Sequence, residues 1–464
     1  MRISPFALAA LIAIAACSDN TPTSSQARAQ RDSVAIPTVS ASVAAPASLY
    51  SGYSPRSPHW QHITTMMTDF YYGWTPTERA WAGAHYDMAM SGSGAAWRAV
   101  NPTVGHYPYA LIWTTIISPS SPNITTGYYA DMKSWFAAHR QYSLERAFVH
   151  LPGTARTLSN RVLVTIWGSK RWAINPSDPG AIAYTVDRMR RVAGSESGVF
   201  LDETATGSWG NYLKASLEFP TTTAYSAAIV SLTATVRSAL GTKLLMPNTS
   251  AYMTLADRSL AVVGGAAHLE SQNDFRFSGM IDRWKWVESL NASGVLIDFV
   301  SASSTDDVLA LGSSYPHGNS ATSVQRAKLW ELASYYMAVS ASPKLLALQL
   351  ENRWNKPYST LWIRAQEANI GHPRAMRVQA KTGTDPEHNA YIVYTRDFDR
   401  ALVVLRLQQG WGTHTYGDGT AIPISLPSGE KWIPLNADGS VGSPVTRIVL
   451  RNSEAAILLK GSKM

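Results

Sequence analysis

The sequence predicts a (β/α)8 barrel followed by a small C-terminal antiparallel β-sandwich domain. Three observations lead there. From about residue 58 to residue 372, short continuous apolar runs alternate with segments of helical period. That is the pattern of parallel strands buried on both faces and linked by helices. Several of those runs end in an acidic residue, at the end of the strand where such a barrel gathers its functional groups. After residue 372 the helical period stops, and short strands are joined by clusters such as Gly417-Asp418-Gly419 and Asn436-Ala437-Asp438-Gly439, as in a sandwich.

The N-terminus comes first. Arg2 precedes an apolar stretch from Ile3 to Ala16, and Cys17, the sole cysteine, follows. The stretch is too short to cross a bilayer but suits the apolar region of a secretory signal. Ile14-Ala15-Ala16-Cys17 resembles a bacterial lipobox, so Cys17 is expected to become the lipidated first residue of the mature chain. An ordinary secretory signal is the alternative. Export follows from either, and the lipobox reading puts the chain in the cell envelope, facing the periplasm or on the cell surface. One cysteine excludes an intrachain disulfide framework and a multi-cysteine metal site. Residues 18–57 are rich in Ser, Thr, Ala and Pro and cannot build a core, so they read as a tether.

The expected barrel occupies residues 58–372. Its strand candidates are His62–Asp69, Tyr86–Met90, Tyr109–Thr115, Ala147–His150, Val162–Trp167, Val199–Asp202, Lys243–Asn248, Ala266–Glu270, Val295–Val300 and Leu345–Leu350. Tyr184–Val192, Ala224–Leu240 and Gln325–Val339 place apolar residues three and four apart, as amphipathic helices do. Ten candidates exceed the eight a barrel needs, so one or two belong to loops or edges. The expected β-domain, residues 373–464, has strands at Arg374–Gln379, Ala390–Thr395, Ala401–Leu407, Val445–Arg451 and Ala455–Leu459.

Composition narrows the function. With 45% hydrophobic and 16% charged residues, a large packed core is feasible and general disorder is excluded. The net charge of +8 is dispersed apart from Arg188, Arg190 and Arg191, so no nucleic-acid-binding stripe exists. The 16 Trp and 21 Tyr suit either stacking on sugar rings or bulky barrel packing. No His-x-His metal motif, Gly-x-Ser-x-Gly elbow or placed dinucleotide fingerprint occurs. No metal or cofactor is therefore expected, and a monomer is.

Candidate chemistry sits at strand ends. Asp69, Asp202 with Glu203, Glu270, Asp298 and Glu351 all fall at or near them. A carboxylate there needs a partner or a task, because burying it unpaired is costly. Two carboxyl groups across a rim are what glycosidic-bond hydrolysis requires. Trp113, Trp167, Trp209 and Trp354 lie where they could stack on a sugar, and His85, His150, His268 and Asn248 lie near the same rim. The expected substrate contacts are Asp69, Trp113, His150, Trp167, Trp209, Asn248, Asp298 and Glu351.

The run NPSDPGAIAYTVDRMRRVAGSESGVFLDETATGSW, Asn175 to Trp209, resembles the middle of the glycoside hydrolases called hypothetical glycosyl hydrolase family 15. Those proteins carry an Asp/Asn-Pro, a helix and a DGVFLD segment whose Asp ends the fourth barrel strand. HLESQ (His268–Gln272), LIDF (Leu296–Phe299), LLALQLEN (Leu345–Asn352) and YTRDFDRALVVLRL (Tyr394–Leu407) fall where that family has strands six, seven and eight and its terminal domain. The resemblance spans most of the chain after residue 60, but only the FLDE segment is distinctive. It implies a barrel glycosidase with Asp202 and Glu270 as working carboxylates, acting on an oligo- or polysaccharide. Here Ser197-Gly198 stands where relatives often have Asp-Gly. Glu203 directly follows Asp202 and competes for its role. Adjacent residues of a regular strand face opposite ways, so both point inward only if the strand has already ended. Retention is expected for carboxylates two strands apart, at about 5–5.5 Å rather than the ~6.5–9.5 Å of inversion. A carbohydrate-binding surface lipoprotein on a barrel scaffold is the alternative, and a metal-dependent hydrolase a more distant one.

Overall fold

A computed structural model describes residues 63–67, 75–90, 92–116, 128–166, 169–204, 213, 215–249, 254–269, 277–301, 320–339, 346–350, 362–408, 420–452 and 454–461. The first part alternates strands and helices: β1 (Ile63–Met67), α1 (Pro76–His85), β2 (Met88–Met90), α2 (Gly94–Val100), β3 (Gly105–Tyr107) and β4 (Tyr109–Ala110). An insertion follows, with β5 (Thr114–Ile116), α3 (Tyr128–Ala138), β6 (Leu163–Ile166), β7 (Ser169–Ala173) and α4 (Pro179–Ala193). Alternation then resumes with β8 (Gly198–Leu201), α5 (Thr222–Ala239), β9 (Leu244–Pro247), α6 (Leu255–Gly264) and β10 (Ala266–Leu269). It ends with α7 (Phe277–Ala292), β11 (Leu296–Ser301), α8 (Ser320–Ala338) and β12 (Leu346–Leu350).

Local chemistry sets these boundaries. Thr75 and Glu78 form a reciprocal capping box in front of α1, with Pro76 in the first turn. Thr254 and Asp257 do the same for α6, which stops at Gly265 in the left-handed region, φ 77°. Asp178 caps α4 by accepting from the amides of Gly180 and Ala181.

The strand pairings run in one direction and return to their start. Parallel ladders join β1 to β2, β2 to β3, β4 to β8 and β8 to β9. Parallel bridges at Leu245–Gly265 and Asn248–His268 join β9 to β10. Further parallel ladders join β10 to β11, β11 to β12, and β12 back to β1. Only Pro108 separates β3 from β4. It has no amide hydrogen for a ladder, yet its carbonyl accepts from Phe200 N at 2.9 Å. Counting β3 and β4 as one strand, the ring has eight members.

Two strand expectations are corrected here. Leu163–Ile166 pairs antiparallel with β7 in a side sheet of order β5-β7-β6. Ala147–His150 holds the end of a 3-10 turn and isolated bridges. Both are apolar enough to read as ring strands because they form the buried side of the insertion. Tyr109–Thr115 divides between β4 in the ring and β5 in the side sheet.

Side-chain alternation sorts the ring into an inside and an outside. Met88, Met90, Tyr107, Phe200, Leu244, Met246, Ala266 and Leu296 form one buried inner cluster. Val199, Leu201 and Leu245 face outward onto α5 with Ile229 and Leu232, and Ala267, Leu269, Ile297 and Phe299 pack toward α7 and α8.

Beyond residue 372, β13 (Val378–Thr384), β14 (Ala390–Asp397), β15 (Ala401–Gln408), β16 (Ile422–Ser425), β17 (Trp432–Leu435), β18 (Arg447–Leu450) and β19 (Ala455–Lys460) follow. An antiparallel sheet of order β13-β14-β15-β19-β17 faces a pair, β16-β18. Tyr391, Val393, Leu402 and Val404 meet Ile422, Ile424 and Leu450 between the two layers. Ile392, Tyr394, Val403 and Leu405 point the other way, into the cluster of Trp284, Trp330 and Tyr336 on α7 and α8. The first strand begins at Val378 rather than at the expected Arg374. Short β16 and β17 escape the sequence pattern because each contains a proline, Pro423 and Pro434.

Candidate active site

The inner face changes from apolar to polar at one level. Below lie Phe200, Met246, Ala266 and Leu296, with Phe200 opposite Met246 and Ala266 opposite Leu296. Two residues further along each strand stand Asp202, Asn248, His268 and Asp298. Leu201 pairs with Pro247, which brings Asp202 level with Asn248. Asn248 bridges to His268, and His268 pairs with Asp298. Four neighbouring strands therefore present one polar row over an apolar floor.

Asp202 is the most firmly held member. Its Oδ1 accepts from Asn248 Nδ2 at 2.9 Å and from the Glu203 amide at 2.7 Å. Its Oδ2 accepts from the Tyr109 phenol at 3.0 Å. The backbone is pinned as well, since Asp202 N donates to Ala110 O and Asn248 N to Leu201 O, extending both ladders past the strand ends. Burial pushes the Tyr109 phenol well above its ordinary pKa, and the charges of Asp202 and then Glu203 push it the same way. Tyr109 thus stays protonated and donates.

Glu203 departs in another direction. The strand ends at Leu201 and Glu203 adopts a left-handed φ of 57°, so the strict alternation of a strand no longer applies. Its carboxylate pairs with Arg171 of β7, and its carbonyl accepts from Trp113 Nε1. Adjacent carboxylates are thereby assigned different partners, one facing the ring and one the insertion.

His268 Nδ1 bonds Asp298 Oδ2 at 2.7 Å, with both side chains buried. The Phe200 and His268 rings meet edge to face, with centroids 5.1 Å apart at 70°.

The other expected contacts fall elsewhere. Trp113 is 1% exposed and packs edge-on against Tyr225, so no indole face is open for stacking, contrary to expectation. His150 is 0% exposed; Glu218 and Glu145 occupy both its nitrogens at 3.0 and 2.9 Å, which leaves none for a ligand. His85 stacks on Trp81 and bonds its carbonyl. Asn248 serves Asp202, and Asp298 serves His268. Cys17, Asp69, Trp167, Trp209, Glu270, Glu351 and Trp354 lie outside the described residues. Tyr109 and Arg171 were missed. The register of β4 beside Phe200 could have revealed Tyr109, but nothing in Ser169–Ala173 marks Arg171 before the side sheet is known. Among the described residues no group of three or more His, Cys, Asp or Glu side chains is clustered as metal ligands.

No family model matches the chain, and no curated protein is similar enough to count as a relative. Among solved structures it is similar to a β-L-arabinopyranosidase of glycoside hydrolase family 27 from Geobacillus stearothermophilus, in complex with arabinose. Identity there is 11% and the TM-score 0.46, over 90% of this chain and 99% of that one. For Amy13B of Eubacterium rectale the values are 8% and 0.45, over 90% and 99%. For the glycoside hydrolase domain of PelA from Pseudomonas aeruginosa they are 13% and 0.33, over 54% and 90%. Likenesses this distant assign neither a family nor an activity.

Proposed function

We propose that the chain is a glycoside hydrolase on a (β/α)8 barrel, with a C-terminal β-domain from about residue 373 that takes no part in the chemistry. The observation that carries this reading is the carboxylate of Asp202, fixed by Tyr109, Asn248 and the Glu203 amide at the C-terminal end of the fourth ring strand. A sugar leaving its glycosidic oxygen develops positive charge at the anomeric carbon. A carboxylate already oriented toward that charge needs no reorganisation when it forms. Asp202 is the nucleophile or charge stabiliser. Glu203 is not, because Arg171 and the left-handed turn hold it toward the insertion.

The second carboxyl group in this reading is Glu270, which follows the sixth ring strand and is two residues beyond His268 in the sequence. It protonates the leaving oxygen and later activates water, with retention of configuration. In this reading a lipid on Cys17, with residues 18–57 as its tether, holds the enzyme at the cell envelope, where an oligo- or polysaccharide would meet it.

The test is a panel of polysaccharides and aryl glycosides assayed with the wild type, Asp202→Asn and Glu270→Gln. Loss of several powers of ten in each variant, with the melting transition kept, is expected. Near-wild-type turnover in both would overturn the assignment. The anomer first released, read by proton NMR, decides between retention and inversion.

A further inference from the structure

We propose that His268 contacts the bound sugar directly, accepting a hydroxyl hydrogen at Nε2, and that Asp298 is a positioning residue that fixes the tautomer required. This rests on the reading that the ring binds a carbohydrate. The argument begins with the cost of the pair. Asp298 is 0% exposed and His268 1%, and two apolar side chains would fill the same space without desolvating a carboxylate. Asp298 gains little in return. Its Oδ2 bonds His268, but its buried Oδ1 has no hydrogen-bond partner among the described residues. A structural carboxylate is ordinarily satisfied on both oxygens. Among the described residues, holding His268 is the one side-chain bond this carboxylate makes.

That bond has a chemical consequence. A carboxylate accepts only, so Nδ1 must carry the proton that lies between the two groups. In the neutral imidazole Nε2 is then the acceptor. No hydrogen bond to Nε2 is present among the described residues. The floor fixes the ring plane, because the Phe200 and His268 rings meet edge to face. The row fixes its company, because Asn248 is its bridge partner and Asn248 in turn holds Asp202. A sugar seated against Asp202 therefore lies beside an acceptor aligned from below, and a sugar hydroxyl is a donor that matches it.

The experiment uses the full chain carrying 15N-labelled histidine, observed by long-range proton–nitrogen NMR. The probes are a panel of methyl glycosides and iminosugars. His268 is identified by the loss of its signals in His268→Gln. In the wild type its proton is expected on Nδ1, and at least one probe should move the Nε2 resonance. Asp298→Asn, nearly isosteric, should shift the proton toward Nε2 and weaken that probe about tenfold without changing the melting temperature. Two results would overturn the proposal: a proton on Nε2 in the wild type, or an Nε2 resonance that no probe moves. A probe that moves Nε2 in a protein with no turnover on any substrate would sink the glycosidase reading and leave this inference standing.

Discussion

The Tyr109 phenol oxygen lies 3.0 Å from Asp202 Oδ2, and this contact ties the end of the third ring strand to the end of the fourth. Since burial and the neighbouring carboxylates keep Tyr109 protonated, it is a permanent donor. Tyr109→Phe removes the donor and little else. Turnover should fall about ten- to a hundredfold while stability changes by about 1 kcal/mol. Steady-state kinetics alongside a urea melt separate the two, and unchanged turnover would remove Tyr109 from the site.

Arg171 and Glu203 make the opposite kind of pair, since each is nearly enclosed, with side chains 5% and 11% exposed. Arg171→Met leaves Glu203 without its cation, and a loss of about 3–5 kcal/mol is expected. Glu203→Gln should be milder, and molecules that stay folded should turn over within tenfold of the wild type. A thousandfold loss in a folded Glu203→Gln protein would transfer the role of Asp202 by one residue.

Much of this arrangement was legible in the sequence where apolar runs were long. VLIDFV and AAHL, bounded by helices, read as ring strands and lie in the ring. The third ring strand was legible only in its second piece, Tyr109–Ala110 within the expected Tyr109–Thr115, because Pro108 splits it into pieces of three and two residues, too short for a periodicity. Asp202 stood out because a charge after GVFL is conspicuous. Its partner Tyr109 did not, because Tyr109 is distant in the chain and register, rather than pattern, brings it close. Trp113 and His150 misled for a related reason. Proximity to a strand end says where a backbone is, whereas burial under the side sheet is a tertiary fact that no local pattern encodes.

Gly198 tests the packing of the ring itself. A Cβ built there would sit 2.2 Å from the Leu244 carbonyl oxygen and 2.8 Å from the Tyr107 ring. The first neighbour is backbone of β9 and cannot rotate aside. Gly198→Ala should therefore cost about 1–3 kcal/mol, seen as a lower urea midpoint with an unchanged slope. A wild-type midpoint would mean that β8 and β9 approach less closely than described.

Lys328 on α8 gives the chain a pH dependence that comes from packing rather than from catalysis. Its side chain is 0% exposed. Burial lowers its pKa from 10.5 to about 8, with the charge of Glu331 opposing the shift. Below about pH 8 the lysine is charged in both folded and unfolded chains, so the full cost of burying that charge is present at neutral pH. Between about 8 and 10.5 the folded chain has released the proton while the unfolded chain still holds it. The unfolded state then binds more protons, so stability rises with pH across that window. The informative variant replaces both interacting charges, Lys328→Met with Glu331→Leu. At pH 7 the double variant should be more stable than the wild type by about 1–4 kcal/mol. That advantage should shrink as the pH is raised to 10, because the wild type recovers what the charged lysine costs it. Urea melts of both proteins at pH 7 and pH 10 measure the difference directly, and an advantage that stays constant between them would place the titration of Lys328 outside this window.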